Sequence, residues 1–411
     1  MLIKLAWRNL WRNKLRTSIM LGAMIFGLMG VVAMMGFMSG MVDNMIHNAI
    51  AWQTSHIQIH NRKYIENPDI NSTIKGSELL VSMLEKRTEI KALSTRLLAD
   101  GMIGSARSTR GVRINGVDIK AEEKITPMAQ NIIDGEWLSE QGRNPVLVSG
   151  KTSERLRLKL GSKVVLTFTN GVGEVTGAAF RVRGIFKTPS TSYDDNNVIV
   201  RKADLKKVAR IDGVHEIAIL LDETFQQESR EPVVRLAYDI QSISAVGNVV
   251  RDWTQIQPLL ATMMATMGIS NAIMLGIFVL AMGFGIVNIL LMSVFERTQE
   301  FGVLMAVGMQ KHKVFALIML ESTWLGVCGA TLGVLACMSM IQLLQITGLP
   351  LGAMAEGLGA YGVDTVLYPR VSLFEYQAIF STVVISSIIA ALYPARQILK
   401  QRPAQAMSEK H

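Results

Sequence analysis

Residues 295–313 read FERTQEFGVLMAVGMQKHK. The stretch is charged and punctuated by Gly302 and Gly308, yet it lies between two apolar walls. Residues 253–295 hold no Asp, Glu, Lys, Arg or His, and a nearly uncharged segment begins at Val314. A bilayer core rejects charges and unsatisfied backbone groups, so a polar insert between two such walls reads as a turn at a membrane surface.

Composition points the same way. The 411 residues are 49% hydrophobic and only 18% charged, too apolar for a chain made solely of water-soluble domains. Four runs reach the roughly 20 residues a helix needs to cross a bilayer core: 17–42, 253–295, 322–355 (extended back past Glu321 to Val314) and 376–395. The first run is longer than the roughly 7–15 apolar residues of a signal peptide and no A-x-A site follows it, so it is read as an anchor.

Lys4, Arg8, Arg12, Lys14 and Arg16 precede the first run; Arg297, Lys311 and Lys313 lie in the opening stretch; Arg396, Lys400, Arg402 and Lys410 follow the last run. These twelve bases face three acids, Glu296, Glu300 and Glu409, a surplus of nine that equals the net charge of the whole chain. The positive-inside rule then puts both termini and 295–313 in the cytoplasm. The basic balance is a topology signal and does not argue for nucleic acid as a partner.

Residues from about 43 to 252 therefore belong on the far side, and there the lettering changes to short alternating runs. Strands are predicted at 56–60, 111–117, 145–149, 163–168, 179–186, 197–200 and 215–221, with helices at 76–98 and 202–209, which makes an α+β domain. The two cysteines, Cys328 and Cys337, fall in the third apolar run, about 13 Å apart along a helix, so no disulfide is expected.

Signs of catalysis are sparse. SGKT at 149–152 invites a phosphate-loop reading, but Pro145 stands where the first glycine of that loop belongs. His56 and His60 alternate on a predicted strand, without a further ligand pattern for a metal, and are read as a solvated strand edge. No catalytic residue, metal site or cofactor is assigned to the chain.

SVFERTQEFGVLMAVGMQKHKVFALIMLES (293–322) resembles the R-x-x-E-x-G-x-x-x-A-x-G segment of ABC transporter permeases of the macrolide-exporter and lipoprotein-releasing type, the FtsX-like superfamily, matched by Arg297, Glu300, Gly302, Ala306 and Gly308. AALYPARQILKQRPAQAM (390–407) is similar to their closing element, WRNLWRNKLRT (7–17) to their amphipathic elbow, and VLVSGKTSERLRLKLGSKVVLTF (146–168) to their external helix-then-strand pattern. Met309-Gln310 departs from the small residue and capping Ser or Thr found in many members.

The resemblance implies an α-helical membrane protein with four transmembrane helices and an α+β periplasmic domain inserted between spans one and two. The division is an elbow at 1–16, spans at 17–42, 253–295 (with a periplasmic extension), 314–345 and 376–395, the domain at 43–252, a coupling helix at 296–313, a periplasmic loop at 346–375 and a cytoplasmic tail at 396–411. It also implies a separate ATPase subunit, using ATP and Mg, that pushes the coupling helix, together with a second permease, identical or homologous, in the inner membrane of a bacterium. Gly302 and Ala306, four apart on one face, permit close approach there, and Gly308 is placed to end the helix at positive φ.

Of 25 methionines, eight lie between Met20 and Met45. Met34, Met38 and Met41 share a helical face with Met35 at its border, and such adaptable apolar surface suits a substrate cavity. Gly326, Gly329 and Gly333 form a helix-packing face, and Glu321 sits near the cytoplasmic end of span three. GFMSGMVDNMIHNAIAWQTSHIQIH (36–60) looks more like the lipoprotein-releasing branch, so the expected substrate is lipoprotein or lipid taken from the outer leaflet. The elbow is closer to the exporter branch, which keeps efflux with a periplasmic adaptor as an alternative. A scaffold that regulates a periplasmic cell-wall hydrolase is the other.

Overall fold

The computed structural model describes residues 2–222, 231–352 and 354–400. The chain divides into two compact units, one built on Val42–Met263 with Pro350–Thr365, the other on the remaining described residues. The PAQAM part of the closing element lies outside the described residues, as do Arg402, Glu409 and Lys410.

The second of these units is helical. Four helices are long and apolar enough to cross a membrane: Lys14–Ala49, Pro258–Glu296, Lys311–Thr347 and Leu373–Lys400. At 36, 39 and 37 residues the first three exceed the need of a bilayer core. Leu28, Val32, Met35, Ala330, Ile341 and Val383 interlock in the bundle core. Polar bonds tie helices together within it: Ser322 Oγ donates to the Ser387 carbonyl at 2.7 Å, and Asn271 Nδ2 to Glu375 Oε1 at 3.0 Å. Residues 253–295 do not form one helix. A turn at Trp253–Ile256, capped by Asp252, ends at Gln257, because the Pro258 ring disfavours helical backbone in the residue before it.

The other unit is α+β. Its sheet uses β1 (Ile57–Asn61), β2 (Ile90–Gly104), β3 (Thr109–Val117), β4 (Ile132–Gly135), β5 (Pro145–Ser149), β6 (Lys163–Thr169), β7 (Val175–Phe186), β8 (Asn197–Arg201), β9 (Glu216–Leu221) and β10 (Asn248–Asp252). The order is β10-β1-β9-β2-β3-β8-β5-β7-β4, with β6 pairing β2 and β7. The first half of β2 pairs β9 and its second half pairs β3 and β6, so this strand joins a core around Ile57, Ile219 and Leu84 to one around Ile103, Leu166 and Phe180.

That role overturns the helix predicted over 76–98. Only Ser77–Leu84 is helical, and Ile90 begins β2. The helix formers around 85–93 yield to strand pairing: from Ile90 to Arg96 the chain pairs along one edge with β9, and β3 takes the other edge from Leu97 on, a tertiary override of propensity. His56 and His60 also differ from expectation: β1 is flanked by β10 and β9 and is no solvated edge, and the two residues are 5% and 4% exposed. Segment 346–375 is more than a loop. It carries a helix at Met354–Leu358, and Asn44 Nδ2 donates to Asp364 Oδ2 at 2.7 Å while the Asp364 amide donates back to Asn44 Oδ1 at 2.9 Å.

Candidate functional site

The site grows from the break between the second and third long helices. Arg297 leaves helical backbone at φ −102°, ψ 12°, a short helix follows over Thr298–Ala306, and Gly308 closes it at φ 103°. The Gly308 amide donates to the Met305 carbonyl at 3.1 Å and the Met309 amide to Leu304 at 2.9 Å, the paired bonds of a glycine-terminated helix. Only glycine holds that φ without strain. Gln310 then starts the third long helix without a side-chain cap.

The short helix has two faces. Phe301, at 2% exposure, packs with Ala6, Val294, Val314 and Leu317, and Gly302 is buried as well. Val303, Ala306 and Val307 are exposed, with Val307 at 84%. Gly302 and Ala306 thus do not present one accessible surface: the first serves internal packing and the second faces out with two valines. The spacing of 303, 306 and 307 carries this face in the sequence, and sequence reasoning passed over it.

Ion pairs brace the buried side. Arg297 Nη1 donates to Glu321 Oε2 at 3.1 Å and its Nε to Glu300 Oε2 at 3.1 Å, while the guanidinium lies 5.0 Å from the Phe301 ring centre. Arg12 Nη2 bonds both Glu300 oxygens, at 2.7 and 3.0 Å, and Arg16 pairs with Glu296. Partial burial pushes the Glu300 carboxyl up, but the Arg12 and Arg297 hydrogen bonds and charges outweigh it and hold it below the usual carboxylate range. Arg12 and Glu300 are about half exposed, so their pair contributes at most about 1 kcal/mol. Arg297 with Glu321 is largely buried and matters more. Arg297 and Glu300, expected at the ATPase contact, are therefore engaged within the chain, and Glu321, Arg12 and Arg16 complete the network. Nothing in sequence spacing pairs residues so far apart.

The amphipathic helix Leu2–Arg12 delivers Arg12 to that network. Ala6 and Leu10 are its buried positions, and Trp7 meets Trp324 edge-on at 5.2 Å. A cavity of about 230 Å³ lined by Arg12, Arg16, Thr17, Glu296, Arg297 and Glu321 lies beside it.

The other expected residues fall as follows. Met34 is 48% exposed and Met38 and Met41 are half-buried, whereas Met35, at 3%, sits in the bundle core and leaves that face. A Cβ on Gly329 would meet Met24 Cε at 2.6 Å, one on Gly333 Leu28 Cδ1 at 2.5 Å, and one on Gly326 Ser387 Cβ at 2.8 Å, so all three line close helix contacts. Ser149 of SGKT caps the helix Gly150–Leu156 by accepting from the Thr152 amide, a structural use of the motif. Among the described residues no group of three or more His, Cys, Asp or Glu could hold a metal ion.

Two family models match: FtsX-like permease C-terminal over residues 272–403, and MacB-like periplasmic core domain over 17–232. The lipoprotein-releasing system transmembrane protein LolC of Xylella fastidiosa strain 9a5c is 23% identical across 72% of this chain and 72% of that protein. LolE of Haemophilus influenzae is 20% identical across 93% and 90%. The macrolide export ATP-binding/permease protein MacB of Chlorobium luteolum is 29% identical across 38% of this chain and 21% of that protein. With the second model covering more than half of the chain and the first covering the short helix, most of the long helix before it and the long helix after it, the chain belongs to the FtsX-like family of ABC transporter permeases.

Proposed function

We propose that this chain is the permease subunit of an ATP-driven, mechanically coupled transporter that releases lipoprotein or lipid from the outer leaflet of a bacterial inner membrane. In this reading the four long helices span the membrane, the termini and 295–313 are cytoplasmic, and the α+β unit is periplasmic. The observation that carries it is the face of Val303, Ala306 and Val307 on a helix fixed from behind by Phe301 and Arg297. A helix of nine residues is marginal alone. Held rigidly with an apolar side outward, it suits a groove on an ATPase subunit, whose ATP- and Mg-dependent closure it would pass to the bundle.

A second permease completes the transporter. Ile269, Ile273, Ile277 and Phe284 expose one stripe of the second long helix, the surface such a pairing would use. For the substrate, support comes from relatives named as lipoprotein-releasing proteins that align over most of both chains, whereas the macrolide exporter aligns over 38% of this one. The match of 17–232 to a MacB-like model favours the second reading, efflux with a periplasmic adaptor.

The face of Met34, Met38 and Met41 is the proposed acyl-chain wall. Met38→Asp puts a charge there at a cost of about 2–3 kcal/mol near the membrane centre, and Met38→Leu keeps volume and polarity. Spheroplasts carrying Met38→Asp should stop shedding lipoprotein while the ATPase stays bound, and Met38→Leu should behave as the unaltered chain. Shedding at the unaltered rate by a well-folded Met38→Asp complex overturns this substrate path. Co-purification of an adaptor or a cell-wall hydrolase in place of lipoprotein would favour the other readings.

A further inference from the structure

Side-chain alternation puts a polar row on one face of the α+β sheet. Gln58 stands opposite Arg251, His60 opposite Glu216, Glu216 opposite Arg96, and Arg113 opposite Asn197. These residues line a cavity of about 370 Å³, together with Tyr64, Glu122 and Gln257. Such a wall is unusual for a domain interior, where charges are costly unless paired.

Most of the charges are paired. Arg96 Nη2 lies 2.7 Å from Glu122 and Nη1 2.6 Å from Glu216, and Arg113 Nε lies 2.9 Å from Asp100. Two groups are not satisfied. Arg251 has no carboxylate within ion-pair distance among the described residues, and its buried Nε has no hydrogen-bond partner. His60, 4% exposed, meets Glu216 through Nε2 at 3.2 Å, while its buried Nδ1 has none. If Nε2 carries the proton toward Glu216, Nδ1 is an acceptor. On adjacent strands and the same face, Arg251 and His60 are diagonal neighbours, about 7–8 Å apart between backbones.

The cavity thus offers a guanidinium that lacks a carboxylate and, one diagonal away on its wall, the ring of His60, whose buried Nδ1 lacks a donor. Arg96 holds Glu122 and Glu216, and Arg113 holds Asp100 beside the cavity, so with Arg251 the charges match in number and a ligand neutral overall disturbs that balance least. We propose that it is a binding site for a free α-amino acid with a polar side chain, its carboxylate on Arg251, its ammonium toward His60 Nδ1 and its side chain among Gln58, Asn115 and Gln257. This site is independent of the permease reading.

The test uses the purified full-length chain in detergent, with L-glutamine as probe against N-acetylglutamine, which lacks the ammonium, and glutamine amide, which lacks the carboxylate. At about ten times its Kd, L-glutamine should raise the unfolding midpoint of the α+β unit by about 3 °C, and the two analogues should not. Arg251→Met should abolish the shift, and Arg251→Lys, which keeps the charge but loses the two-pronged contact, should weaken binding about tenfold. Calorimetric titration measures the same affinities, and circular dichroism checks that both variants fold. No shift in the unaltered chain, an equal shift with either analogue, or an undiminished shift in a folded Arg251→Met variant each overturns the assignment.

Discussion

Arg297 and Glu321 form an ion pair at 3.1 Å with side-chain exposures of 13% and 14%. Arg297 sits in the break before the short helix and Glu321 in the third long helix, so the pair locks the turn to the bundle. Removing one partner of a buried pair leaves an uncompensated charge, at about 3–5 kcal/mol. Arg297→Leu should destabilise the chain by that order, and adding Glu321→Leu should restore most of the loss. Unfolding midpoints of the single and double variants in detergent decide it; a double variant no better than the single one means the pair is not what holds the turn.

Ala306 and Gly302 should now behave differently. Ala306→Trp adds bulk to the exposed face and should leave stability within about 0.5 kcal/mol, while the ATPase is lost from the purified complex. Gly302→Trp should damage the packing of the chain itself, because that site is buried. Normal ATPase co-purification with Ala306→Trp would remove the proposed docking face.

At the packed glycines, what stands opposite sets the cost. Gly326 faces Ser387 Cβ at 2.8 Å, and Ser387 is pinned through its carbonyl by Ser322, whereas Gly329 faces the flexible end of Met24. Gly326→Ala should cost about 1–3 kcal/mol and Gly329→Ala under about 1 kcal/mol. Thermal unfolding of the two variants gives the order, and a reversed order would show that Met24 is the more rigid neighbour.

His56 gives the α+β unit a pH dependence. Its Nδ1 accepts from the Leu221 amide at 3.2 Å, and burial first, then the charge of His47, pushes the imidazole down to about 4 from 6.5. A depressed histidine means that the native state holds the neutral ring. Its contribution is full above pH 6.5 and is lost as pH falls toward 4, by about 3 kcal/mol at the bottom. His56→Gln keeps an acceptor and does not titrate. The stability of the unaltered chain minus that of the variant, from denaturant titrations at pH 7.5, 5.5 and 4, should fall across this window; a constant difference refutes the assignment.

The seven predicted strands and the helix at 202–209 recur in the structure because alternation and β-branched residues act locally, and period 2 survives wherever one face is buried. The helix over 76–98 failed because from Ile90 on the chain pairs first with β9, up to about 130 residues away, and then with β3, a relation that no window of sequence contains.

The sequence by itself determined the four long apolar helices, the glycine stop at Gly308 and the family motif, since each depends on residues within a few turns of one another. Only the tertiary structure decided which side of the short helix is free. Gly302 is buried, Phe301 is covered by residues as far apart as Ala6 and Ala395, and Arg297 finds its buried carboxylate 24 positions onward. It likewise took Met35 out of the methionine face and gathered Gln58, His60, Arg96 and Arg251 onto one wall. Such placements follow from which surfaces the folded chain brings together, and spacing along the sequence does not carry that information.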